Sequence, residues 1–214
     1  PPAGGVSMDA TADRPDRALV LEFPDWPEER DFAPVFRGLT ELVPQIEMRR
    51  PGVVAMRARG PARYYGGEEP AASALLAFAR GADPGGERGA PRIGIADGRF
   101  AAEQAAAAAS GGISTSNAPP DAMLVVPPGR SAAFLAPLPV DRCADEDLAM
   151  LLTGLGMYTL GDFAALPEAA VRARFGPSGV RAHRHARGED GDRDDEIHPQ
   201  HAARDFEMGL DFEP

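Results

Sequence analysis

The sequence has no lysine, a single cysteine and no long hydrophobic run. Because Cys143 stands alone, the chain can form neither an internal disulfide nor a cysteine-based zinc cluster, and this cysteine usage is typical of a reducing cytosol. No stretch approaches the roughly eighteen apolar residues that a membrane-spanning helix needs. Residues 1–16 also lack the basic and then apolar order of a secretory signal, so the sequence predicts a cytoplasmic protein.

Acidic residues outnumber basic ones: the 214 residues include 33 Asp and Glu against 22 Arg, a formal net charge of −11 at pH 7. A chain with this balance cannot coat nucleic acid with its whole surface, although one local basic face is compatible with it. The length is enough to bury the core of one large domain or two small ones.

Hydrophobic periodicity predicts alternating strands and helices before residue 140. The predicted strands are 17–23, 46–50, 53–59, 92–96 and 123–126, and the predicted helices are 31–43, 69–80 and 100–109. This order predicts an α+β fold in which a ferredoxin-like α/β sandwich with one core spans residues 17–140. We predict a disordered tail at 1–16, a helical domain at 141–188, and an acidic linker with the start of a further domain at 189–214.

The helical domain contains two tight turns that are typical of helix–hairpin–helix units. Glycines let a backbone approach phosphates closely, and amides at a helix N-terminus can then donate to phosphate oxygens. From Met150 to Arg187 there are five arginines and two acidic residues, a local net charge of +3. The predicted DNA-binding residues are Gly154, Gly156, Met157, Thr159, Arg172, Arg174, Gly179, Arg181 and Arg184. The alternative is a helical bundle whose arginines are merely solvated.

Two smaller features complete this region. Thr159 and Asp162 have the spacing of a capping box, with Asp in place of Glu or Gln. His183 and His185 are two residues apart in a predicted helix, so they face different sides and we predict no shared metal site.

Five segments of the chain occur in the order found in Y-family DNA polymerases. They are LVLEFPDWP, RPGVVAMRARGPARYYGGEE, RIGIADGRFAAEQAA, VVPPGRSAAFLAPLPV, and LLTGLGMYTLGDFAALP with RFGPSGVRAHRHARGED. Over residues 17–190 the chain resembles this family, and within it the ImuB type, the non-catalytic homologue of bacterial mutagenesis cassettes. The resemblance implies a palm at 17–140, a helix–hairpin–helix thumb at 141–188 and the start of a truncated little finger near 204. The family's fingers domain is missing near 27–32.

The resemblance also implies what the protein does. Active members hold two metal ions with Asp-x-Asp after the first strand and Asp-Glu on a later strand. Here a vestigial Asp25 stands at the first position and Pro51-Gly52 at the second. The implied protein is therefore not an enzyme and needs no cofactor. It is an adaptor in translesion synthesis that binds primer–template DNA and works with an error-prone C-family polymerase, an ImuA-like protein and a sliding clamp.

Two alternatives remain open at this point. One is an active error-prone Y-family polymerase, which the missing carboxylates oppose. The other is a diguanylate cyclase, because Gly66-Gly67-Glu68-Glu69 resembles the Gly-Gly-Asp/Glu-Glu-Phe motif of that family. Pro70 replaces the Phe, and the following residues have helical spacing. The simpler interpretation is a glycine turn with two glutamates at the N-terminus of the next helix.

Overall fold

The structure is a computed structural model that describes residues 17–26, 29–83, 89–109 and 122–190. The predicted tail at 1–16 and the predicted beginning of a further domain near 204 lie outside the described residues.

Strands and helices alternate along the described part of the chain. The strands are β1 (Arg17–Glu22), β2 (Ile46–Arg50), β3 (Val53–Arg57), β4 (Arg92–Asp97) and β5 (Met123–Val125). The helices are α1 (Glu29–Leu42), α2 (Arg59–Tyr65), α3 (Glu68–Ala82), α4 (Arg99–Ala108), α5 (Ser131–Leu135), α6 (Glu146–Gly154), α7 (Leu160–Ala164) and α8 (Glu168–Ala186). The predicted α+β fold class is confirmed.

The five strands form one sheet in the order β2-β3-β1-β4-β5. β1 pairs antiparallel with both β3 and β4, while β4 and β5 are parallel. The central strand β1 is buried on both faces, with Leu19 and Leu21 on one side and Ala18 and Val20 on the other. A strand that is buried on both faces needs apolar side chains at nearly every position, as β1 has.

The sheet separates two hydrophobic cores, so the prediction of one core for residues 17–140 is wrong. One core packs α1 and α3 on the sheet, with Phe32, Phe36 and Leu75 among its fully buried side chains. The second core packs α4 against the other face and continues into Leu152 and Phe163 beyond residue 140. Alternate strand residues point to opposite faces, which is why two layers form. The domain boundary near 140 stays a prediction, since apolar packing is continuous across it.

The alanine-rich sequence of α4 reflects its close approach to β4. A Cβ atom on Gly94 of β4 would lie 2.1 Å from the Ala102 carbonyl oxygen and 2.2 Å from the Ala106 amide nitrogen. Only glycine leaves room for the helix backbone at this distance, and only small residues fit the helix face that meets the sheet.

The sequence predicts a strand over 53–59 and no helix after it. In the structure β3 ends at Arg57, and the chain turns at once into helix α2. Gly66 ends this helix in the left-handed conformation, with φ +85°, and its N–H donates to the Ala62 carbonyl. Glu68 then opens α3 and forms two hydrogen bonds with Arg17, of 2.6 and 2.7 Å. The Gly-Gly-Glu-Glu segment is therefore a junction between helices, as the simpler interpretation of that sequence predicts.

Candidate nucleic-acid interface

The ends of β1 and of the β2–β3 hairpin meet at one edge of the sheet. The Phe23 amide donates to the Gly52 carbonyl at 2.7 Å, which brings the segment after β1 against the hairpin turn. Asp25, the predicted vestigial carboxylate, is exposed in this segment. Glu22 is the carboxylate that sequence reasoning missed: its Oε1 lies 3.4 Å from Nη2 of Arg50. Its position as the last residue of a buried strand was the available signal.

The resemblance to Y-family polymerases would put the two metal ions of their chemistry at this edge. Such a centre needs several carboxylates that converge on the ions. The described residues here supply Glu22 and Asp25, and the Arg50 guanidinium pairs with the first of them. In the described ranges no group of three or more His, Cys, Asp or Glu side chains is arranged to hold a metal. The described donor set does not fit a two-metal centre.

The first predicted turn of the helical region uses its amides internally. Helix α6 ends at Gly154, and Gly156 follows with φ +83°. The Gly156 amide donates to the Thr153 carbonyl at 2.9 Å, and the Met157 amide donates to the Leu152 carbonyl at 3.0 Å. These hydrogen bonds close the C-terminus of α6, so both donors already have acceptors within the protein.

The predicted capping box between Thr159 and Asp162 is present. The Asp162 amide donates to the Thr159 hydroxyl at 3.1 Å. In return Asp162 Oδ2 accepts from the Thr159 amide at 2.9 Å and from the Tyr158 amide at 3.1 Å. The pKa of the Asp162 carboxyl is lowered by hydrogen bonds to its charged form, first by the one from the Thr159 backbone and then by those from the Thr159 side chain and the Tyr158 backbone.

The predicted phosphate-binding amides of the first turn therefore have acceptors within the protein. Those of Gly156 and Met157 donate to carbonyls of α6, that of Thr159 donates to the Asp162 carboxylate, and Gly154 is the last helical residue before them. Contact of these four residues with DNA stays a prediction. The N-terminus of α6 is closed in the same way, because Asp145 Oδ1 accepts from the Leu148 amide at 2.9 Å. Sequence reasoning missed this cap, although an Asp before a helical run is its usual signal.

The second predicted turn is a break inside α8. Gly176 has φ 63° and ψ −160°, and the helix restarts at Pro177. Proline is favoured at the first position of a helix, because its missing N–H would have no acceptor within the helix there. Gly179 is buried, and a Cβ there would lie 2.2 Å from the Phe175 Cβ. Gly179 thus lets the two halves of α8 pack closely, and its predicted phosphate contact stays a prediction.

The four predicted arginines all lie on α8, on both sides of this break. Arg172 pairs with Glu168 at 2.5 Å, and both side chains are partly open to solvent. The Arg174 guanidinium lies 5.8 Å from the centre of the Phe175 ring. Arg181 is exposed and Arg184 is half-buried. The structure therefore places all four of these arginines on one helix, α8, while the capping carboxylates belong to the N-termini of α6 and α7.

The two histidines of α8 contact different elements. His183 is fully buried, its Nε2 lies 2.9 Å from the Leu166 carbonyl oxygen, and its ring meets Phe163 edge-on. His185 stacks on Phe100 of α4 with ring centres 4.7 Å apart. His185 therefore joins α8 to the sheet domain, whereas His183 joins α8 to α7 and the segment that follows it.

Comparisons with known proteins show which proteins this chain resembles in sequence and in fold. No family model matches the chain. DNA polymerase IV of Methanoculleus marisnigri is 33% identical over 127 residues, which are 56% of this chain and 31% of that protein. DNA polymerase IV of Xanthomonas campestris is 40% identical over 73 residues, 33% of this chain and 20% of that protein. This chain thus spans less than a third of the length of these curated relatives.

Two solved structures share the fold. The crystal structure of DinB from Sulfolobus solfataricus has a TM-score of 0.57 at 16% identity, covering 76% of this chain and 46% of that one. The insertion ternary complex of Dbh DNA polymerase has a TM-score of 0.52 at 17% identity, covering 75% and 44%. The chain is homologous to Y-family DNA polymerase IV.

The homology corrects one prediction and supports others. The prediction that the protein is not an enzyme is contradicted, because these curated relatives are named as DNA polymerases. The resemblance to Y-family proteins and the palm-like sheet are confirmed. We use palm as a label for the sheet with its helices and thumb as a label for residues 141–188; that these are separate domains stays a prediction. No helix in the described ranges is both long and apolar enough to cross a membrane.

Proposed function

We propose that this chain belongs to a cytoplasmic Y-family protein of translesion synthesis and binds primer–template DNA through helix α8 of its thumb. The observation that carries the proposal is the break at Gly176, with arginines on both sides of it, in a chain homologous to DNA polymerase IV. In the cell this binding serves DNA-damage tolerance and induced mutagenesis.

The chemistry of the proposed contact is that of phosphate recognition. After Gly176 the restarted helix presents first-turn N–H groups and the positive end of its dipole, which together favour an anion. Arg172, Arg174, Arg181 and Arg184 add positive charge on the same helix. Contacts to phosphates carry no sequence information, so binding is indifferent to sequence. It is also weak, because the chain as a whole carries a net charge of −11.

We further propose that the complete protein is an adaptor at damaged DNA. Its partners would be an error-prone C-family polymerase, an ImuA-like protein and a sliding clamp. The support for these partners is the resemblance of the five sequence segments to the ImuB type.

The DNA-binding proposal is tested by titrating a labelled primer–template duplex at low salt. The variant Arg181→Glu with Arg184→Glu reverses the charge on α8 and is expected to lower affinity at least about tenfold. The matched control is Arg37→Glu with Arg80→Glu, which makes the same change in net charge at exposed positions on α1 and α3. Circular dichroism checks the folding of both variants. Equal losses in the two variants would reduce the effect to overall charge and contradict an interface on α8.

A second candidate function is primer extension, which the names of the curated relatives favour. The test is extension of a primer–template by the complete protein in magnesium buffer. Loss of extension in Glu22→Gln, with Glu41→Gln on α1 as the control, would support this candidate. A parent protein that adds no nucleotide would contradict it.

A further inference from the structure

An open groove lies at the end of the palm sheet farthest from Glu22 and Gly52. It has a volume of about 380 Å³ and lies where Arg57 ends β3 and Gln45 precedes β2. Its walls are mostly apolar, and their members come from the end of α1, the following loop and α2: Leu42, Val43, Pro44, Gly60, Pro61, Tyr64 and Tyr65.

Among the described residues of the palm, the most exposed large apolar side chains line this groove. Tyr64 is 82% exposed and Leu42 is 41% exposed, whereas Pro61 beneath them is buried. The Tyr64 ring meets Tyr65 edge-on at 4.8 Å, so the two rings form one aromatic wall. Exposed apolar patches with a polar rim are typical of protein interaction sites.

The rim of the groove is basic in an otherwise acidic chain. Arg57 lines it, and Arg59 and Arg63 are exposed on α2 beside Tyr64. Of the acidic side chains nearby, Glu68 is bound to Arg17, whereas Glu41 at the end of α1 and Glu69 at the start of α3 are exposed. The exposed guanidinium groups of Arg59 and Arg63, on the same helix as the aromatic wall, form a surface that complements an acidic segment.

We infer that this groove docks an acidic segment of a partner protein, which inserts an aromatic or large aliphatic side chain beside Tyr64. Tyrosine and arginine dominate binding energies at protein interfaces, because they combine apolar area with directed hydrogen bonds. The groove is concave and lined by aliphatic and proline side chains, which suits an inserted side chain better than a stacked nucleotide base. The inference stands independently of DNA binding by α8.

The position of the groove keeps a docked partner away from the edge of the sheet that carries Glu22. β3 runs five residues from the hairpin turn to Arg57, a distance of about 16 Å. A segment docked beside Tyr64 therefore lies at the opposite end of the sheet from the edge that carries Glu22 and Asp25.

The test begins with selection of displayed random peptides on the immobilised complete chain. Enriched peptides are expected to carry Phe, Trp or Leu flanked by at least two acidic residues. The best peptide is then synthesised with a fluorescent label and titrated by anisotropy. Tyr64→Ala and Arg63→Glu are each expected to weaken its binding about tenfold or more. The matched controls are Tyr158→Ala, which removes an aromatic residue that is 64% exposed in the thumb, and Arg37→Glu.

Four outcomes would overturn the inference. Selection that enriches no peptide, or only peptides without acidic residues, removes the proposed ligand. If the selected peptide binds the Tyr64→Ala variant as tightly as the parent, its binding site lies outside the groove. Binding of a twenty-nucleotide thymidine oligomer that Tyr64→Ala abolishes would assign the groove to single-stranded DNA. Self-association in sedimentation that Tyr64→Ala abolishes would assign it to a second copy of this chain.

Discussion

The two turns of the thumb have similar sequences but opposite chemistry. Each contains two glycines close to the end of a helix, and each has a glycine with positive φ, Gly156 in one and Gly176 in the other. At the first turn the Asp162 carboxylate accepts from the Tyr158 and Thr159 amides, and the Gly156 and Met157 amides donate to carbonyls of α6. Three acidic residues add negative charge at the start of α6: Asp145, Glu146 and Asp147. At the second turn the nearby charged residues on α8 are mainly arginines. The difference teaches that a glycine turn can serve as an anion site only where side chains have not taken its amides, which is the reason the proposal concerns the second turn.

The largest expected effect compares a glycine from each turn. Gly179→Ala places a Cβ against the Cβ of Phe175, at 2.2 Å in the present geometry, so the two halves of α8 must separate. Overpacking of this kind costs about 1–3 kcal/mol of unfolding free energy. Gly154→Ala meets nothing within 4 Å and is expected to leave stability nearly unchanged. Urea unfolding measures both, and equal losses would show that the close packing at Gly179 is not needed.

The capping box gives the next largest effect. Thr159→Ala removes the hydroxyl that accepts from the Asp162 amide and is expected to lower the unfolding free energy by about 1 kcal/mol. Duplex affinity should stay within experimental error, because this turn is closed by its own side chains. Thr40→Ala is a control, since its hydroxyl donates to the Arg37 carbonyl at an exposed site on α1. A loss of DNA binding by folded Thr159→Ala would place the interface at the first turn.

A smaller effect follows from the lowered pKa of Asp162. A carboxylate with a lowered folded-state pKa stabilises the fold above its unfolded-state value of 3.8, and this contribution is lost as pH falls through the folded-state pKa. Asp162→Asn should therefore be less stable than the parent at neutral pH, and the difference should shrink below about pH 4. Thermal unfolding between pH 2.5 and 7 measures it. A difference that is constant over this range would show that the charge of Asp162 is unimportant.

The smallest expected effect sharpens the chemistry of the second turn. Glu168 pairs with Arg172, and the hydrogen bond between them is the largest cause of the lowered pKa of Glu168. Glu168→Gln removes the competing carboxylate and should raise duplex affinity by less than about tenfold at low salt. Glu146→Gln on α6 removes the same charge from the acidic side of the thumb and serves as the control. An equal gain in both variants would indicate a general charge effect.

Much of the fold follows from local sequence signals. The apolar run of β1, the helical spacing of α1 and the Thr159–Asp162 pair each predict the element that is found. These signals suffice because they depend on periodicity or on a single cap. Helix α2 could not be predicted in the same way, because seven residues are too few to show a helical period. Pro61 and Gly66 mark its first turn and its end, but they can be interpreted so only once the helix is known.

The candidate site was less predictable, because it depends on partners distant in sequence. The pairing of Glu22 with Arg50 requires the register between β1 and the β2–β3 hairpin, which no local pattern contains. The burial of Gly179 depends on the angle between the two halves of α8. Composition predicted a local basic face, but it could not show that the amides of the first turn are already occupied.

The most direct measurement is an amide titration by nuclear magnetic resonance, in which a short duplex is added to the ¹⁵N-labelled chain at low salt. The amides of Ser178, Gly179 and Val180 are expected to shift strongly, since they follow the break at Gly176. The amides of Gly156 and Met157 are expected to stay in place, because they donate to carbonyls of α6. Shifts confined to the first turn, with none after Gly176, would contradict an interface on α8.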